Sequence, residues 1–245
     1  MIIMEPVFTI LIISVLGPII GSLLGVLKRP SEKFMHDMLS FAAGVMLAIS
    51  FLQLIPESIQ FGNEWICIAG IIIGAFLMYL TDRLLPHIHP ELCSQEQGCD
   101  LKKTALYLII GISLHNLPEG MAMAIGSVTE VKTGIAIALA IAIHDIPEGI
   151  CTAAPFYHAT GERMKSFLVS AATAFPVVIG YFIAHHIYKN IPLEFVGLLI
   201  GATAGLMIYI CADELIPSSC SKTTNHSSIF YLICGVVFVI FLKIL

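Results

Sequence analysis

Residues 104–155 read TALYLIIGISLHNLPEGMAMAIGSVTEVKTGIAIALAIAIHDIPEGICTAAP. Two apolar runs, at about 104–126 and 133–155, each enclose the same short word. The first is His115-Asn116-Leu117-Pro118-Glu119-Gly120 and the second is His144-Asp145-Ile146-Pro147-Glu148-Gly149. A run of about 20 apolar residues is the length that crosses the hydrocarbon core of a bilayer as a helix. Ionisable groups inside such a run are expensive to bury and mark functional sites by default. The stretch therefore says two things: the chain lies in a membrane, and polar chemistry happens inside it.

The flanking sequence repeats the first message. Six further apolar runs lie at about 7–27, 38–56, 65–85, 166–188, 194–217 and 228–245. The chain is 58% hydrophobic and 12% charged, where a soluble domain carries about 25% charged residues. The expected fold is an all-α polytopic membrane protein of eight transmembrane helices, with residues 1–245 as a single transmembrane domain. The net charge of −5 and the lack of any basic patch exclude a nucleic-acid partner. The N-terminus has no basic segment ahead of its apolar run and carries Glu5, so it reads as the first span rather than a cleaved leader.

Lys and Arg placement gives the orientation. The links after spans 1, 3, 5 and 7 hold nine of these residues, against three in the other links and the C-terminus. The richer set belongs in the cytoplasm of a cell membrane, with both termini extracytoplasmic. Internal repetition gives the plan. Ala43-Gly44-Val45-Met46 and Leu54-Ile55-Pro56 in span 2 match Ala204-Gly205-Leu206-Met207 and Leu215-Ile216-Pro217 in span 7, both at an offset of 161 residues. Spans 2 and 7 cross in opposite directions, as do spans 4 and 5. The pattern is a 3+2+3 inverted repeat, a transporter arrangement.

The duplicated word supplies the chemistry. A helix turns about 100° per residue, which puts Glu119 about 40° and Asn116 about 100° from His115 on the same side. Glu148 lies likewise between His144 and Asp145. Imidazole with carboxylate suits zinc, iron or manganese, and two such helices offer four ligands: His115, Glu119, His144 and Glu148. A bridging Glu leaves room for a second ion toward Asn116 and Asp145. Pro118 and Pro147 free the carbonyls of Leu114 and Ile143 by lacking an N–H and crowding the preceding turn. The plainer reading, buried His–Glu pairs acting only as glue between helices, does not account for two copies with identical Pro and Gly placement.

With these residues in view, the sequence resembles the ZIP (Zrt/Irt-like) divalent metal transporters, nearest their short prokaryotic GufA-like branch. The resemblance runs from about residue 37 to 217 and includes residues 42–48 of span 2 and Glu214-Leu215-Ile216-Pro217 of span 7. It implies eight spans with both termini outside, a four-span block that slides with the metal, and a homodimer as an admissible assembly. It implies a primary site of His115, Glu119, His144 and Glu148 with Met46 close by. It also implies a second site of Asn116, Asp145 and the shared glutamates, completed by a span-6 glutamate. Phe175-Pro176 takes the place of that span-6 Glu-Pro, so one central site is expected. Asp213 and Glu214 match the family's exit-pathway ligands, and the link at about 86–103, with His87, His89, Cys93 and Cys99, matches its His-bearing cytoplasmic loop.

The expected function is transport of a divalent cation, zinc first and Fe2+, Mn2+ or Cd2+ also admitted by these ligand types, into the cytoplasm by alternating access. The metal is cargo, and no catalytic cofactor is expected. An intramembrane zinc hydrolase is the other class that buries such ligands. That chemistry needs an open coordination position and a base aimed at bound water, and the chain contains no His-Glu-x-x-His.

Overall fold

The structure is a computed structural model that describes residues 4–29, 31–84, 101–129, 131–187, 192–220 and 227–242; for some of these, His115 among them, only the backbone is described. Every regular element among the described residues is helical. In chain order they are α1 (Met4–Val26), α2 (Glu32–Ile49), α3 (Ile55–Phe61), α4 (Glu64–Leu84), α5 (Leu101–Thr129) and α6 (Val131–Thr160). Then follow α7 (Arg163–Ala171), α8 (Ala174–Ile187), α9 (Leu193–Ile210), α10 (Ile216–Cys220) and α11 (Ser227–Leu242). Five stretches of the described residues are long and apolar enough to cross a membrane: Pro6–Val26, His36–Phe61, Glu64–Thr81, Arg163–His186 and Leu193–Leu215. The helices α5 and α6 have 29 and 30 residues, ample length for a crossing, but carry the polar words. Phe8, Ile12, Phe76, Phe230 and Phe241 are among many large apolar side chains left exposed, as lipid-facing surfaces require. The chain is an all-α polytopic membrane protein.

The second and seventh spans do not stop at their prolines, as their apolar runs suggest. Each passes through one π-helical turn, Ser50–Leu54 and Cys211–Leu215, and continues as α3 or α10. A proline at 56 or 217 has no N–H and would press its ring on the carbonyl four residues back. The wider turn meets that problem: the Ile55 N–H bonds the Ser50 carbonyl, and the Ile216 N–H bonds the Cys211 carbonyl, each five residues back. Span 2 therefore runs on to Phe61, beyond its expected end at 56. The two π turns stand 161 residues apart, the offset of the sequence words. Gly44 packs on the backbone at Leu232 and Gly205 on that at Ile71, again the same pair displaced by 161.

Packing extends the symmetry. The most extensive helix pairs are, in order, α1 with α6, α4 with α9, α5 with α8 and α2 with α11. Exchanging spans 1–3 with 6–8 and span 4 with 5 turns each of these pairs into its mate. Ser58 Oγ donates to the Gly197 carbonyl and Cys211 Sγ approaches the Ala43 carbonyl, so spans 2 and 7 run antiparallel and the repeat is inverted. The pairs also sort the helices into two groups. One holds α1, α5, α6, α7 and α8; the other holds α2, α3, α4, α9, α10 and α11. Between them the main contacts are the narrower ones of α2 with α6 and α9 with α5. Both motif helices belong to the first group.

Candidate metal centre

The site is built on α5 and α6, which pack against each other. Gly120 and Gly149, one residue after each motif glutamate, decide how closely the neighbours approach. A methyl group on Gly120 would come within 1.9 Å of the Val177 carbonyl oxygen on α8, and one on Gly149 within 2.7 Å of the Pro18 oxygen on α1. No side chain fits there, so glycine lets α8 and α1 sit directly on the motif helices.

Across the α5–α6 contact, His144 Nε2 lies 3.1 Å from Glu119 Oε1 and 3.3 Å from Asp145 Oδ1. The possible ligand atoms of Glu119, His144 and Asp145 all fall within 4.8 Å of one another, and all three residues are buried. Glu148 is 2% exposed and sits one helical turn beyond His144 on α6. His115 lies one turn before Glu119 on α5, and its side chain is outside those described. The tight group among the described residues thus includes Asp145, which the motif spacing alone placed toward a second ion.

Asn116 is buried, and its Nδ2 donates to the Thr173 carbonyl at 2.7 Å while its Oδ1 accepts no hydrogen bond among the described residues. That carbonyl belongs to a break in the sixth span, where α7 stops at Ala171 and α8 starts at Ala174. Pro176 is its trace in the apolar run of 166–188: it has no N–H for the Ala172 carbonyl four residues back. Phe175 is 66% exposed and faces away from the buried centre, so the span-6 residue touching α5 here is Thr173 rather than Phe175. Met46 is fully buried in the main core on α2. Asp213 and Glu214 lie in the π turn of the seventh span, Glu214 buried and Asp213 half-buried. His87, His89, Cys93 and Cys99 fall outside the described residues.

Charge decides what the centre can hold. Glu119, Asp145 and Glu148 are three buried carboxylates facing one described imidazole. Holding several ionised carboxylates together in a low-dielectric interior costs several kcal/mol each unless they are paired. Two outcomes relieve that cost. The carboxyls take up protons, or a divalent cation neutralises them. The donor set of nitrogen and oxygen is that of zinc, iron or manganese.

Comparison with known proteins settles the lineage. A model of the family described as ZIP zinc transporter matches residues 2–100 and 87–243. The chain belongs to the ZIP family. Zinc transporter ZupT of Salmonella heidelberg (strain SL476) is 35% identical over 224 residues, covering 88% of this chain and 87% of the relative. Zinc transporter ZupT of Escherichia coli O127:H6 matches with the same identity and coverage. The residues matched by the family model, 2–100 and 87–243, include the centre and both halves of the inverted repeat. ZIP membership makes the chain a transporter of divalent metal and not an enzyme.

The hydroxyl groups around the centre escape a reading of the sequence. Thr152, Ser170 and Ser22 are fully buried and bonded to one another. Only Thr152 carries a signal in the sequence, standing four residues after Glu148 on the same helical face. Ser22 and Ser170 are brought to it by the tertiary packing of α1 and α7.

Proposed function

We propose that this ZIP protein carries zinc into the cytoplasm through a central site formed by Glu119, His144 and Glu148, with His115 and Asp145 completing the ligand set and Met46 close by. The observation that carries the reading is the approach of His144 Nε2 to Glu119 Oε1 at 3.1 Å, which joins the two motif helices in one buried, negatively charged group. The binding helices sit in one packing group and the π-turn helices in the other, with narrower contacts between them. This supports alternating access by movement of the first group against the second, with the ion held throughout by α5 and α6. The positive-inside balance supports extracytoplasmic termini and eight crossings of a cell membrane.

In this reading the resting carboxyls share protons and His144 bridges Glu119 and Asp145. An arriving cation displaces those protons, because the ligands bind deprotonated. Acidification of the outer solution therefore competes with zinc and slows uptake. The test is uptake of radioactive zinc into proteoliposomes. Wild-type protein should show saturable uptake that falls as pH is lowered, and His115→Ala with Glu119→Ala should abolish it. Unaltered uptake by the double variant would remove the site from the pathway.

A further inference from the structure

The break in the sixth span is joined to both motif helices through side chains that no ligand motif predicts. Ser170 Oγ lies 3.1 Å from the Gly149 carbonyl, 2.7 Å from Ser22 Oγ and 2.5 Å from Thr152 Oγ1. Thr152 Oγ1 is in turn 3.1 Å from the carbonyls of Glu148 and Gly149, and Ser22 Oγ donates to the Pro18 carbonyl at 2.6 Å. Three hydroxyl protons thus serve six close contacts, all inside a fully buried pocket of α1, α6 and α7. Three residues on, Thr173 donates its N–H and its hydroxyl to the Ser170 carbonyl at 3.0 and 2.8 Å. The Thr173 carbonyl then accepts from Asn116 on α5.

We propose that residues 170–173 form a clasp that sets the separation of the two metal-binding helices and thereby the ion preference of the centre. Ser170 and Thr173 act as positioning residues, and Thr152 is the partner of Ser170 on α6. The proposal rests on the central-site reading above. Its physical basis is placement: Thr152 is one turn beyond Glu148, and Asn116 is one turn before the Glu119 position. One end of the clasp therefore fixes the backbone that carries Glu148, and the other fixes the backbone that carries His115 and Glu119. Both ends meet at a single two-residue turn, Ala172 and Thr173, between α7 and α8. Such hydroxyl bonding to preceding carbonyls is a device that bends helices, and Thr152 makes it in the turn that carries Glu148. Partners that orient metal ligands without touching the metal change affinity by about 10–100-fold when removed.

Reconstituted protein with Thr152→Val, Thr152→Ser, Ser170→Ala and Ser22→Ala distinguishes positioning from plain structural support. Zinc uptake kinetics and competition by manganese are measured at equal protein amount, with thermal unfolding in detergent alongside. Thr152→Val keeps the side-chain shape and loses the hydroxyl. It should raise the zinc KM about 10-fold and shift the zinc-over-manganese ratio, whereas Thr152→Ser stays near wild type. Ser170→Ala should act likewise, and the Thr152→Val/Ser170→Ala pair should be no worse than Ser170→Ala alone. Ser22→Ala cuts only the outer link and should give a smaller shift in the same direction, which keeps the test decisive if the inner variants do not accumulate. Lowered unfolding temperature with an unchanged metal ratio, or no kinetic change in any accumulating variant, overturns the clasp. The site itself is scored separately: unaltered uptake with Glu119→Ala and His144→Ala would remove the centre, whatever the clasp variants do.

Discussion

The helices α5 and α6 carry nearly the same word and are held by different chemistry. On α5 the residue after His115 is an amide whose Nδ2 is taken up by the Thr173 carbonyl. On α6 the residue after His144 is Asp145, whose carboxylate turns back to His144 Nε2. Four residues past the glutamate, α5 has the buried Met123 and α6 the buried Thr152, bonded into the Ser170–Ser22 network. What the two copies share is the glycine that admits a neighbouring backbone, α8 at Gly120 and α1 at Gly149. The inverted repeat thus preserves the frame of the site and lets its electrostatics diverge. One half carries, after its histidine, a neutral amide anchored to the Thr173 carbonyl. The other half brings the extra negative charge.

The sharpest way to ask whether that asymmetry matters is to add a carboxylate beside α5. Phe175→Glu places it where the family pattern expects one, but Phe175 is 66% exposed and faces outward. The variant should gain no ligand. It should lose about 2.5–3.5 kcal/mol, the insertion penalty of an acidic residue at lipid depth, seen as lower accumulation in the membrane with unchanged metal preference in the protein that remains. Improved zinc affinity would show that the sixth span turns its face toward the centre.

The shared frame makes the next prediction. Gly120→Ala and Gly149→Ala both drive a methyl group into a facing backbone, so each should destabilise by at least about 1–3 kcal/mol. Thermal unfolding in detergent should rank them together, with Gly120→Ala the worse because its contact is closer. A large loss for one and none for the other would mean that the two halves are not framed alike.

The smallest effect concerns the divergent pair. Asp145→Asn removes one charge from the centre while keeping the shape, and should weaken zinc binding about 10-fold, or about 1.4 kcal/mol. Asn116→Asp sets a carboxylate against the Thr173 carbonyl and should shift metal preference by loosening the sixth-span break. Equilibrium binding of radioactive zinc, with manganese as competitor, checks both. Equal and opposite changes in charge with no difference between the variants would deny the asymmetry.

Much of this was legible in the residues alone. The paired words marked the candidate metal helices because a histidine and a glutamate at i, i+4 have no inexpensive reason to lie in an apolar run. The 161-residue offset found in two short matches recurs in the π turns and in the glycine contacts, because a repeated backbone geometry needs the same prolines and glycines at the same places. Other features depend on contacts that no local pattern encodes. Pro56 reads as a helix end, since proline usually breaks the ladder, yet a widened turn absorbs it and the helix runs to Phe61. Pro176 marks the turn at 172–173, since it cannot donate to the Ala172 carbonyl, but the bonds that stabilise the preceding turn reach α1 and α6. Aligning Phe175 with a family glutamate fixed a position in the sequence but not a direction in space. Asp145 joins the tight group through the packing of α5 against α6, which spacing within one helix cannot reveal.

In the proposed function the transported ion rests between α5 and α6. The most direct test of this placement is anomalous X-ray diffraction at the zinc edge from protein crystallised with zinc. The expected result is a zinc peak bounded by Glu119 and His144 together with Glu148 or Asp145, at about 2.0–2.2 Å from the ligand nitrogen and oxygen atoms, and its loss in Glu119→Ala with His144→Ala. Zinc peaks elsewhere in the molecule, with none between these two helices, would contradict it.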